Sequence, residues 1–139
     1  AFKSANTTNV TGSGTNYNYI CDTEIFDQGG NYNNSTGVFT APVAGRYQFH
    51  FACGFLDMSV AATTIQVFLT TSNGNWVGVL VSRVLNTAAS RYGGSALVDM
   101  DAGDTANPTV NISGEIGDTV DVEGNATARV TFFSGRQTN

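Results

Sequence analysis

The stretch Gly45-Arg46-Tyr47-Gln48-Phe49-His50-Phe51-Ala52-Cys53 alternates apolar and polar residues with a period of two. Only an extended strand sends every second side chain to one face, so this segment predicts a half-buried β-strand. Tyr47, Phe49, Phe51 and Cys53 are expected to face a core, and Gln48, His50 and Ala52 to face outward. Just upstream, Val38-Phe39-Thr40-Ala41 predicts a short strand halted by Pro42. Downstream, β-rich runs at 63–71 and 76–84 flank Ser72-Asn73-Gly74-Asn75. Asn-Gly tolerates positive φ, which predicts a tight hairpin there. In the first arm Ile65, Val67 and Leu69 share a face. The second arm is apolar on both faces (Trp76, Val77, Val79, Leu80, Val81), which predicts that another subunit covers its outer side.

Further strands are expected at 1–5, 17–25, 95–100, 109–116, 119–123 and 128–133, with polar loops at 6–16, 28–36 and 99–108. Eight to ten short strands punctuated by turns predict an all-β, two-sheet jelly-roll sandwich. A chain of 139 residues fits one domain, 1–139. It starts Ala1-Phe2-Lys3 without Met, and the domain is expected to be the C-terminal head of a longer fibrous protein.

Composition narrows the function. Val occurs 14 times, Leu 5 times and Lys once, which argues against a helix bundle. Six basic residues scattered in a chain of net charge -5 exclude binding by phosphate neutralisation, so no nucleic-acid partner is expected. No apolar run approaches the ~18 residues of a membrane span, so no membrane insertion is expected.

The spacing of one set of residues is more specific. Asp27 is followed by Tyr32, Phe39 and Gly45, and then by Tyr47, Phe49 and Phe51. This pattern resembles the signature of the C1q-like domain family, globular heads related in fold to tumour necrosis factor. Cys21 stands where the family pattern opens with Phe. Phe2-Lys3-Ser4-Ala5 resembles the opening strand, and 38–45 resembles a Phe-x-Ala-Pro-x-x-Gly segment. Gly117-Asp118-Thr119-Val120 resembles a Gly-Asp-x-Val turn, with Gly103-Asp104-Thr105 as a competing match. Phe133-Ser134-Gly135 resembles the last strand, although the polar residues 136–139 predict that this strand is frayed or shortened. The resemblance implies a homotrimer without enzymatic activity, serving as a recognition head.

Candidate site residues follow. His50 and Gln48 on the outer face are expected at a trimer interface. Phe132 and Phe133 point to opposite faces, so Phe132 is either a subunit contact or a misjudged core residue. His50 is the only His, and packed aromatic neighbours argue against a Ser-His-Asp arrangement. Cys21 and Cys53 both face inward, with free thiols favoured over a disulfide. Asp99, Asp101 and Asp104 form an acidic turn whose oxygens suit Ca²⁺, a cofactor that some C1q-like trimers carry; an ordinary solvated turn is the favoured alternative. Tyr17 and Trp76 are candidate binding aromatics beside polar loops, with core packing the alternative for Trp76. Asn6, Asn9, Asn33, Asn34, Asn111 and Asn125 each open an Asn-x-Ser/Thr triplet, a glycosylation pattern that an Asn- and Thr-rich chain also produces by chance.

Together these features predict a trimeric head of a phage tail fibre or similar virion appendage. It would lie on the virion or outside cells and bind a cell-surface glycan or protein noncovalently. The setting rests on abundant Asn, Thr, Gly and Ser and scarce Lys. The alternatives are a structural trimerisation cap or capsid decoration, and a secreted pattern-recognition module. A glycan-active enzyme ranks last, since the sequence offers no acid pair beyond the 99–104 cluster.

Overall fold

The computed structural model describes residues 1–82 and 89–138. Eleven strands occur among them: β1 (Thr7–Thr11), β2 (Asn16–Asn18), β3 (Tyr32–Asn33), β4 (Val38–Thr40), β5 (Gly45–Leu56), β6 (Thr64–Thr71), β7 (Gly74–Val81), β8 (Ala89–Met100), β9 (Thr105–Ser113), β10 (Val120–Glu123) and β11 (Phe132–Thr138). They form two antiparallel sheets. In the five-stranded sheet, β5 pairs with β8 along one edge and with β11 and then β10 along the other, and β1 pairs with β10. In the six-stranded sheet the order is β3, β4, β9, β6, β7, with β2 beside β4 on the same edge of β9. This is a jelly-roll sandwich.

The alternation in β5 places Tyr47, Phe49, Phe51, Cys53 and Phe55 between the sheets, each buried. Opposite them stand Ile65, Val67 and Leu69 of β6 and Val110 and Ile112 of β9. The signature aromatics make one cluster. Phe49 stacks on Phe133 at 5.6 Å between centroids, Phe39 meets Phe49 edge-on at 5.4 Å, and Tyr32 lies 5.7 Å from Phe133. Asp27 accepts from Tyr32 N at 2.8 Å, and the Tyr32 hydroxyl donates to the Cys21 carbonyl at 3.1 Å. Cys21 therefore fills the opening signature position as a small buried residue.

One sandwich edge closes by backbone contact. A Cβ on Gly94 of β8 would lie 2.5 Å from Gly78 Cα of β7, so neither position tolerates a side chain. The opposite edge, between β11 and the β3–β4 pair, stays open.

Several elements differ from expectation. Residues 1–5 form no strand; Phe2 makes isolated bridges to Thr23 and Phe132. The expected loop 6–16 contains β1 and the start of β2, and the expected loop 28–36 contains β3. These short pieces lack apolar alternation because they are held by backbone pairing at sheet margins. The hairpin turn centres on Ser72 and Asn73, one residue before Asn-Gly, because Thr71 pairs with Gly74. Gly74 has φ +132°, which suits glycine at this first strand position. Pro108 lies inside β9 instead of a loop. Its carbonyl accepts from Tyr19 N on the side between β4 and β2, so its missing N–H faces a gap in the ladder. The last strand is not shortened: β11 pairs with β5 through Thr138 and Arg46, since a backbone ladder needs no apolar side chains. The end of the expected 76–84 strand lies outside the described residues.

Candidate recognition and assembly surfaces

The two sheets present chemically different outer faces. On the five-stranded sheet, cross-strand register sets neighbours in rows. Leu97, Gln48 and Arg136 form one row, Ser95, His50 and Ser134 the next, and Gly93, Ala52 and Phe132 a third. Leu97 is exposed and Phe132 is 37% exposed, while Phe133 is buried against the core. Phe132 therefore points outward and not into the core. Apart from Arg136 beside Gln48, the charges lie at the ends of this face. Arg46 pairs in register with Asp99 at one end, and Arg91 bonds Glu123 at 3.1 Å at the other. A weakly polar centre with a charged rim is the anatomy of a protein interface. The serines beside His50 share its row, and no carboxylate does.

Beside this face the open sandwich edge forms an apolar groove of about 310 Å³. Ile25 and Phe26 stand exposed on its rim, and the Arg129 guanidinium lies 5.1 Å from the Phe2 ring centre. Sequence reading missed this groove because its walls come from four separate segments.

The predicted binding residues are not gathered. Tyr17 pairs with Val110 and leans half-buried onto the core. Tyr17 opens the strand expected at 17–25, and its register with Val110 turns it inward. Trp76 is 44% exposed at the closed sandwich edge, paired with Leu69. The acidic trio is divided as well. Asp99 sits on β8 opposite Arg46, while Asp104 accepts from Asp101 N (2.8 Å), Ser72 Oγ (2.8 Å) and Asn73 Nδ2 (2.7 Å). These donors, the Asp101 N–H foremost, hold the Asp104 carboxyl below its ordinary range. Asp104 thus fastens the 72–73 turn to the 101–104 turn, and no group of three or more potential ligand side chains occurs among the described residues.

Cys21 and Cys53 are free and buried. Burial pushes the Cys21 thiol up to about 12 and the Cys53 thiol well above its usual value, so both are poor nucleophiles. Asn111, of the glycosylation triplets, uses its Nδ2 to bond Gly14 O and Asn16 Oδ1. At one end of the sandwich a further pair of loops is clasped: Ser59 N and Oγ donate to Glu115 at 2.7 and 2.8 Å, and Val60 and Ile116 project beside them.

The C1q domain family model matches residues 1–135. The chain belongs to the C1q domain family. Solved structures agree on the fold. The globular domain of zebrafish complement 1qA aligns at TM-score 0.55 and 15% identity over 88% of this chain and 84% of that one. Eiger TNF from S. frugiperda aligns at 0.54 and 17% over 78% and 68%. Murine APRIL aligns at 0.54 and 10% over 88% and 94%. No curated protein matches the sequence. Within this C1q domain, the signature positions Asp27, Tyr32, Phe39, Gly45, Tyr47, Phe49 and Phe51 all build or border the aromatic core. Among the described residues no helix is long and apolar enough to cross a membrane.

Proposed function

We propose that this C1q domain is a homotrimeric recognition head that assembles through its five-stranded sheet and binds a cell surface noncovalently. C1q domains are typically extracellular, trimeric recognition modules, and this chain has the fold for it. The observation that carries the assembly is the centre of the five-stranded face. Leu97, Gln48, His50, Ala52 and Phe132 form a weakly charged patch with Arg136 at its side and further charges at its ends, continuous with the exposed Ile25 and Phe26. Phe132 and Leu97 are more comfortable against another copy than in water. Ring closure about a threefold axis would repeat every outward loop three times, so weak contacts would add as avidity.

The setting we favour is a phage tail fibre or related virion appendage, supported by the hardy Asn-, Thr-, Gly- and Ser-rich composition. Light scattering tests the assembly. The chain at micromolar concentration is expected at three times the 14.6 kDa protomer mass, and Phe132→Asp is expected to return it to one. Labelled trimer is expected to bind intact host cells. A trimer that binds no cell would be a structural cap, and a stable monomer would overturn the reading.

A further inference from the structure

We infer that the outer face of the six-stranded sheet is a binding site for an uncharged oligosaccharide. The inference rests on the recognition-head reading and names its ligand class and its surface.

No charged residue occurs in any strand of this sheet, whereas the five-stranded sheet carries Arg46, Arg91, Asp99, Asp121, Glu123 and Arg136. Its outward positions, set by register, are mainly amides and hydroxyls, with the buried Phe68 ring among them. Asn16, Asn111 and Gln66 stand in one row, ending at Leu80. Asn18, Thr109 and Phe68 stand in the next, ending at Val77. Leu80 and Val77 are exposed and form an apolar strip along one side.

Hydrogen bonds within the face leave donors aimed outward. Thr109 Oγ1 donates to Asn18 Oδ1 at 2.7 Å, and Asn111 Nδ2 donates to Asn16 Oδ1 at 2.7 Å. Both asparagines are thereby fixed by their oxygens, and their Nδ2 groups have no partner among the described residues. The Gln66 amide has none either. At the β3–β4 end the same face sinks into an open depression of about 660 Å³ lined by Asn31, Asn33, Asn34, Thr36 and Thr40, again without charge.

The occupant follows from charge. A sulfated or carboxylated glycan, a phosphate backbone or an anionic membrane would find no countercharge here, and a charged protein surface would leave its ions unpaired. A neutral sugar matches both halves of the face. Its hydroxyls accept from pre-oriented amide donors, and its C–H surface rests on Leu80 and Val77. Fixed donors lose little freedom on binding.

The test is calorimetry on the trimer with maltohexaose, cellohexaose and mannohexaose, and with heparin hexasaccharide and oligogalacturonate as charged counterparts. At least one neutral hexasaccharide is expected to bind, and neither charged one. Asn18→Asp keeps the oxygen that Thr109 needs and removes the free donors; Gln66→Glu disturbs no internal bond. The double variant is expected to bind at least tenfold more weakly, with unchanged Tm and unchanged mass. Gln66→Glu alone gives the same readout if the double variant folds poorly. Absence of neutral binding, preference for charged sugars, or undiminished binding by the variants overturns the inference while the trimer reading stands. Loss of trimer mass in the variants also overturns it, since a second copy would then cover this face. A monomeric wild-type chain would defeat the recognition-head reading separately.

Discussion

The two sheets share one interior but turn opposite chemistry outward. The five-stranded face sets Leu97 and Phe132 on either side of a polar row, Ser95, His50 and Ser134, and its His50 and Ser95 side chains make no hydrogen bond to other described residues. The strands of the six-stranded sheet carry no charged residue among those described, and polar side chains on its outer face bond one another across strands. A weakly charged polar row flanked by apolar Leu97 and Phe132 suits a surface that another copy covers. A cross-bonded amide layer suits one that stays in water and meets small polar ligands. The fold is common to the C1q domain family, so this difference lies in the outward residues alone.

The largest expected effect is on what the two sheets share. Phe49 lies between them within the aromatic cluster, and Phe49→Ala is expected to cost about 4 kcal/mol, read by urea denaturation. A cost under about 1 kcal/mol would mean that the sheets do not pack through this cluster.

The faces themselves separate next. Thr109 is buried on the six-stranded face, bonds Asn18 and faces the Thr70 hydroxyl at 2.8 Å. Thr109→Val is expected to lose about 1–2 kcal/mol by stranding those partners. Ser95→Ala on the five-stranded face is expected to stay within about 0.5 kcal/mol in the monomer. Equal costs would erase the distinction.

Between the sheets, the Tyr19 hydroxyl is buried without a hydrogen-bond partner among the described residues. Tyr19→Phe is expected to raise stability by about 1 kcal/mol, because a buried polar group without a partner is removed. A loss of that size would reveal an unseen partner.

The smallest effect is at the loops that link the sheets. Asp118 is held below its ordinary range by the Thr15 hydroxyl and then by Ser13 N–H and hydroxyl. A carboxyl lowered in the folded state contributes stability above its unfolded value of 3.8 and loses it as pH falls through the folded value. Stability should therefore be flat near neutrality and decline below about pH 4, and Asp118→Asn should make that decline shallower. A decline that begins near pH 6 would assign acid sensitivity to another group.

The five-stranded face was legible because β5 buries one side of a long strand, and burial writes itself into a period of two. Phe132 followed from the same alternation. The six-stranded face was not legible. Asn16 and Asn107 fell in expected loops and Asn18 and Asn111 in expected strands whose partners one dimension does not give, and only the pairing of β2, β9 and β6 sets them in an array. Tyr17 misled for a related reason: an aromatic beside a polar loop looks exposed until its register partner Val110 is known. The acidic trio was legible only as a cluster, because sequence proximity does not say which carboxylate is already engaged, as Asp104 is by Ser72 and Asn73.

One measurement bears most directly on the division of labour between the faces: molar mass in solution for the wild type, Leu97→Asp and Leu80→Asp. These substitutions place the same charge at exposed leucines on opposite sheets. The account predicts three times 14.6 kDa for the wild type and Leu80→Asp, and 14.6 kDa for Leu97→Asp. A monomeric wild type, or a trimer that survives Leu97→Asp and falls apart with Leu80→Asp, would contradict it.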